Sequence, residues 1–175
     1  SAKGKRVQAL GGAKNHMIVM PDADQDQVVN SLMGAAYGSA GERCMAISVA
    51  VCIGDDVADS LISRLNIEID NMQIGPGTGL AQEAHMGPVI SKEHCAKIKE
   101  YITIGVEEGA TLIRDGRDFV SPGNENGYFV GPTLFDHVTQ NMRVYNEEIF
   151  GPVLCVVRAK SYQQALTMIN EHEFG

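Results

Sequence analysis

ISVAVCI (residues 47–53), followed by DVADSLISRLNIEID (residues 56–70), is the stretch that decides the fold of this chain. The first run is apolar at both alternating sets of positions, which is typical of a parallel strand buried on both faces. In the second run, Val57, Leu61, Leu65 and Ile69 recur every four residues, as on one face of a helix. The stretch therefore predicts a buried strand followed by an amphipathic helix over about Asp56–Asp70.

The same alternation continues on both sides of this unit. Asp22 or Asp24 is a candidate N-cap for the helix that begins near it, and a loop rich in glycine and proline occupies Gly75–Pro88. Further predicted strands are Val7–Leu10, His16–Met20, Ala110–Ile113, Phe129–Phe135 with a bend at Gly131–Pro132, and Val153–Val157, and further helices are Asp24–Tyr37, Ser91–Gly109 and Tyr162–Glu171. The 175 residues are enough for one domain. We expect an α/β fold, with a mostly parallel open sheet flanked by helices.

Composition excludes several classes of function. The net charge is −8, which argues against a nucleic-acid partner, because phosphates require a basic face. The sequence contains neither an apolar run of 18 residues nor the apolar core of a secretory signal, so we expect no membrane span and no export. The four cysteines of the chain form no C-x-x-C pair, and their spacing is typical of neither a disulfide framework nor a metal site. Free thiols indicate a bacterial cytoplasm or a mitochondrial matrix. They are Cys44, Cys52, Cys95 and Cys155.

One cysteine has unusual neighbours. The run YGSAGERCMA, Tyr37–Ala46, places four small residues and then Glu42 and Arg43 before Cys44. A thiolate is the reactive form of cysteine, and an adjacent cation favours it. Small residues leave room for a substrate and for backbone amides that could hold an oxyanion. A buried structural cysteine at a helix end is the alternative, and cysteine hydrolase chemistry would require a histidine near Cys44.

The cysteine run and four others resemble the aldehyde dehydrogenase superfamily across essentially all 175 residues. The other runs are LGGAKNHMIVMPDAD (10–24), MGPVIS (86–91), GYFVGPTLF (127–135) and EEIFGPVL (147–154). The resemblance implies that Cys44 attacks an aldehyde and that the resulting thiohemiacetal passes hydride to NAD. It also implies that Glu148 binds the nicotinamide ribose and that Phe150 packs near the nicotinamide ring. A core Phe150 and a solvated Glu148 are the structural alternatives.

The sequence departs from the superfamily at the residue that usually activates water. The motif E-L-G-G-K carries a glutamate there, but Ala9 stands at that position and Gln8 offers no base either. The block resembles the methylmalonate-semialdehyde dehydrogenase branch, in which coenzyme A resolves the thioester and CO2 is lost. In that branch, which serves valine and inositol catabolism, Arg43 would bind the substrate carboxylate. A surface salt bridge, for example to Glu42, is the alternative for Arg43.

The resemblance also implies how much of an enzyme these residues represent. Residues 1–175 correspond to the catalytic domain in part, whereas the NAD-binding domain is not in this chain, so the chain alone is expected to be inactive. The expected partners are a small-molecule aldehyde and further subunits of a homo-oligomeric full-length enzyme, either dimer or tetramer. A hydrolytic NAD-dependent aldehyde dehydrogenase, or an inactive domain with a structural or binding role, remain the alternatives.

Overall fold

A computed structural model of the chain describes residues 3–77 and 84–174. It contains a five-stranded sheet with the order β1-β2-β5-β4-β3. The strands are β1 (Asn15–Val19), β2 (Ile47–Ile53), β3 (Thr111–Arg114), β4 (Thr133–Asp136) and β5 (Val153–Ala159). The pairs β1–β2, β2–β5 and β4–β5 are parallel, and only the edge strand β3 is antiparallel. The predicted mostly parallel sheet is therefore confirmed.

Five α-helices flank this sheet in the described chain. They are α1 (Gln25–Leu32), α2 (Asp55–Asp70), α3 (Lys92–Glu107), α4 (Arg143–Asn146) and α5 (Tyr162–Asn170). Asp24 caps α1 by accepting the amides of Asp26 and Gln27, and Ser91 caps α3 by accepting the amide of His94. Both caps satisfy first-turn amides that have no partner inside the helix.

The core lies around the two central strands. Val49, Ala50, Val51, Val156 and Leu154 are fully buried on β2 and β5, as expected for strands covered on both faces. The bounds of β2 are those predicted, and α2 begins one residue earlier than predicted. No helix in the described part of the chain is long and apolar enough to cross a membrane.

Two predicted elements differ from the structure. Val7–Leu10 forms no strand: β1 is the edge of the sheet beside β2, and the side chains of Val7 and Leu10 are 74% and 86% exposed. The predicted helix over Asp24–Tyr37 ends its regular α-helical part at Leu32 and continues as a π-helical turn, Met33–Tyr37. The predicted loop over Gly75–Pro88 lies partly outside the described residues. The short helix α4 was not predicted.

Candidate active site

Three chain segments meet at the amino ends of neighbouring parallel strands. Residues 13–15 lead into β1, residues 41–46 lead into β2, and residues 148–152 lead into β5. Since β1, β2 and β5 are adjacent and parallel, their entry segments lie at the same edge of the sheet. Residues from all three segments line one small cavity, and Arg43, Cys44, Glu148 and Phe150 are among them. The fold thus brings together all four residues that the sequence singled out.

A tight, irregular segment carries Cys44. Ser39 and Ala40 both have a φ of 53°, and Gly41 has a φ of +69°, so three successive residues are left-handed. Such backbone costs on the order of 1 kcal/mol at each non-glycine residue and is concentrated at functional sites. The chain then turns again, because the Ala46 amide donates to the Arg43 carbonyl at 3.0 Å. Cys44 lies inside this turn with its side chain exposed, and not at a helix end.

Gly41 joins the Cys44 segment to the segment before β5. A methyl group on Gly41 would lie 2.2 Å from the carbonyl oxygen of Gly151, closer than any real contact. The absence of a side chain therefore allows the two backbones to touch. This contact fixes Cys44 relative to Glu148 and Phe150, which lie on the other side of it.

Arg43 and Glu42 point in different directions. The Arg43 guanidinium donates to the carbonyl of Gly34 and, at 3.4 Å, to that of Ala35, at the π-helical turn. Glu42 instead accepts the Ile90 amide at 3.2 Å and lies 3.4 Å from Nε2 of His94. No ion pair between Arg43 and Glu42 forms in the described chain, so the pairing suggested as the structural alternative for Arg43 is wrong.

Glu148 has one oxygen occupied and one available. Its Oε1 accepts the Ala13 amide at 3.2 Å, and its Oε2 has no protein donor among the described residues. Phe150 is 37% exposed, not core, and has a φ of 57°. Its carbonyl accepts a hydrogen bond from Nε2 of His94 at 2.6 Å, which holds this unusual backbone in place.

A buried lysine positions the segment that carries Glu148. Lys14 is only 3% exposed, and its Nζ donates to the Glu147 carbonyl at 2.8 Å. Burial lowers the pKa of Lys14.

The Glu147 side chain is held separately: its carboxylate binds Arg143 at 2.7 Å and the Tyr101 hydroxyl at 2.5 Å. The hydrogen bonds from Arg143 and then Tyr101 lower the pKa of Glu147 to about 2.

The other thiols differ from Cys44 in exposure. Cys52 and Cys155 are buried, and burial raises their pKa values to about 12 and about 11. Cys95 is half-buried and donates weakly to the Phe129 carbonyl at 3.7 Å. Cys44 is the most accessible of the four. No group of three or more histidine, cysteine or carboxylate side chains within the described ranges could hold a metal ion.

Sequence reasoning missed three residues that shape the site. Lys14 and Asn15 stand in the run LGGAKNH, which carried part of the family resemblance but in which neither residue was given a role. Asn15 lines the cavity with Cys44. His94 stands in no run that the sequence singled out, but it contacts both Glu42 and Phe150. None of the described residues that line the cavity is a histidine.

Comparisons with known proteins agree with this arrangement of motifs. The sequence model of the Aldehyde dehydrogenase family matches residues 1–175. A malonate-semialdehyde dehydrogenase from Pseudomonas aeruginosa is 58% identical over 99% of this chain and 34% of that protein. A malonate-semialdehyde dehydrogenase 2 from Geobacillus thermodenitrificans is 54% identical over 100% of this chain and 35% of that protein. The chain therefore spans about a third of the length of these relatives.

Two solved structures are also similar to this chain in sequence and in fold. A Sinorhizobium meliloti protein, described as a methylmalonate-semialdehyde dehydrogenase in complex with NAD, is 55% identical with a TM-score of 0.94. A methylmalonate-semialdehyde dehydrogenase from Oceanimonas doudoroffii is 53% identical with a TM-score of 0.95. Each match covers 99% of this chain and 35% of the other chain.

Proposed function

Because this chain belongs to the aldehyde dehydrogenase family, we propose that the whole protein is an NAD-dependent, coenzyme A-acylating dehydrogenase of malonate or methylmalonate semialdehyde. The single observation that carries the proposal is the cavity lined by the exposed Cys44, by Arg43 and by Glu148, whose Oε2 has no protein donor among the described residues. The names of the relatives support the choice of substrate. In this proposal the aldehyde becomes acetyl- or propionyl-CoA and its carboxylate leaves as CO2.

Cys44 is the proposed nucleophile. Its thiolate adds to the aldehyde carbon, forming a C–S bond and an alkoxide, and hydride departure from that carbon then leaves a thioester on Sγ. Exposure of the thiol gives the substrate access, whereas the two deeply buried thiols lack it.

Glu148 and Phe150 are the proposed contacts to NAD. The free Oε2 of Glu148 is an acceptor suited to a ribose diol, and the exposed Phe150 ring offers an apolar surface to a nicotinamide. These residues fit the cofactor, which when bound would supply the hydride acceptor. Lys14 and His94 hold the backbone on either side of Ile149, so both side chains are presented from a fixed segment.

Arg43 is the proposed anchor for the substrate carboxylate. Its guanidinium donates from one nitrogen to two neutral carbonyl oxygens, those of Gly34 and Ala35. A carboxylate is a stronger acceptor for a guanidinium than a neutral carbonyl and can accept two parallel hydrogen bonds. A substrate carboxylate beside Cys44 would therefore compete successfully for this side chain.

Coenzyme A is the proposed acceptor of the acyl group, because Ala9 offers no base that could activate water. The test is the product formed by the whole protein from malonate semialdehyde and NAD. We expect acetyl-CoA, with turnover that depends on coenzyme A. Free acid formed without coenzyme A would instead support a hydrolytic aldehyde dehydrogenase, and no aldehyde-dependent NAD reduction would favour a structural or binding role.

The cellular setting follows from the same proposal. The relatives named above are bacterial, which suits a cytoplasmic enzyme of valine or inositol catabolism with free thiols. We propose a homo-oligomeric whole protein, either dimer or tetramer, which its mass in solution would test.

A further inference from the structure

We infer that Asn15 is a positioning residue for Cys44: its side-chain amide holds the turn that presents the thiol. This inference rests on the proposed function, in which Cys44 is the nucleophile. Asn15 lies 29 residues before Cys44 in the sequence, at the first position of β1. It lines the same cavity as the thiol.

The geometry of the contact is specific. Nδ2 of Asn15 donates to the Cys44 carbonyl at 2.9 Å and to the Ala46 carbonyl at 2.9 Å. Backbone carbonyls only accept hydrogen bonds, so the amide must present its NH2 group to both, and its orientation is fixed. Both N–H groups of the side-chain amide therefore donate to carbonyls of the same turn.

A distortion of the sheet directs Asn15 toward this turn. The register between β1 and β2 shifts at this point: Asn15 pairs with Ile47, whereas the next residue, His16, pairs with Val49. An irregularity of this kind bends a strand locally and re-aims a side chain, and it recurs next to active sites. The shift therefore gives Asn15 a direction that a regular ladder would not.

The turn has few other restraints. Cys44 and Met45 are exposed, and Met45 is 82% accessible, so packing does not hold them. The Ala46 amide closes the turn on the Arg43 carbonyl from within. Asn15 holds the turn from the neighbouring strand, through the carbonyl of Cys44 itself. Loss of this clamp would release the backbone that determines where Sγ points.

The experiment uses the whole protein and three variants at this position. Asn15→Ala removes the donors, Asn15→Ser keeps a single donor, and Asn15→Asp keeps the shape but places a carboxylate against two carbonyl oxygens. Asn146→Ala is a matched control, because Asn146 also donates from Nδ2 to two backbone carbonyls, those of Gln140 and Met142. The first measurement is the rate of the first turnover of NAD reduction, together with the KM for NAD. The second is hydrogen exchange of the Ala46 amide, which requires no activity.

We expect Asn15→Ala and Asn15→Asp to slow the first turnover by on the order of 10²-fold, because a nucleophile displaced by about 1 Å loses that much. The KM for NAD should change less than about threefold, since the Glu148 segment keeps its own contacts. Asn15→Ser should be intermediate. Exchange of the Ala46 amide should accelerate by about tenfold in Asn15→Ala, as expected when a turn loses two hydrogen bonds.

Several results would overturn the assignment. A first turnover within threefold of the unaltered protein in Asn15→Asp would show that the amide hydrogens are not required. An equal loss of rate in Asn146→Ala would point to general destabilisation. If the unaltered protein reduces no NAD with either semialdehyde, the proposed function fails, and unchanged Ala46 exchange in Asn15→Ala would separately refute the clamp.

Discussion

Replacement of Gly41 by alanine tests how the Cys44 segment is placed. A Cβ at this position would lie 2.2 Å from the Gly151 oxygen and 3.1 Å from the Ala36 oxygen. Carbon contacts are normally about 3.5 Å, so the Gly151 backbone would have to move by roughly 1 Å. The φ of +69° adds about 1–2 kcal/mol for any residue with a side chain. Because overpacking costs about 1–3 kcal/mol more, Gly41→Ala should lower the free energy of unfolding by about 2–5 kcal/mol.

Gly123→Ala is a control that separates the effect of the steric clash at Gly41 from the cost of the left-handed backbone. Gly123 has a similar φ of +76°, but a Cβ there would meet nothing within 4 Å. We therefore expect this control to lose only about 1–2 kcal/mol in urea unfolding. The clash should also slow the first turnover of the whole protein by on the order of 10²-fold in Gly41→Ala but not in the control. Equal stability and equal rates in the two variants would refute the reasoning that backbone contact positions Cys44.

Three further outcomes can be measured directly. Burial lowers the pKa of His16 from 6.5 to about 4, so the unfolded chain binds a proton that the folded chain does not. His16 should therefore contribute a loss of stability of about 2 kcal/mol as the pH drops from 6.5 to 4, allowing for partial exposure, and His16→Asn should remove this contribution. Arg158→Met should cost about 3 kcal/mol, because Asp136 is buried and would lose its guanidinium partner, keeping only His137. The exposed Arg64→Met should change stability little. Iodoacetamide at pH 8 should label Cys44 first, and mass spectrometry that finds the two buried thiols labelled as fast would contradict its assigned accessibility.

Local patterns in the sequence were sufficient for most secondary structure. The apolar run Ile47–Ile53 and the four-residue spacing after it predicted β2 and α2 almost to the residue. Asp24 was one of two candidate caps for α1, because a cap is defined by contacts over two or three residues. Ser91, which was predicted only as the first residue of a helix, is the cap of α3. The pattern failed at Val7–Leu10, a short run with three apolar residues that has no neighbouring strand to pair with.

The residues of the candidate site could also be predicted in part from local runs of sequence. Cys44, Arg43, Glu148 and Phe150 could be selected because their runs resemble those of a known family, and the fold does bring them to one cavity. Their roles stay predictions. The directions in which their side chains point could not be predicted from these runs. The sequence did not indicate that the Arg43 guanidinium would bind carbonyls of the π-helical turn.

The sequence by itself determined the alternation of strands and helices, the family resemblance and the identity of the candidate nucleophile. These depend on residue type and on spacing along the chain. Only the tertiary structure decided what holds that nucleophile: Asn15 clamps a turn 29 residues away, and Gly41 touches the Gly151 backbone. Such contacts join segments that are distant in sequence and meet only when β1, β2 and β5 align, so no local pattern encodes them.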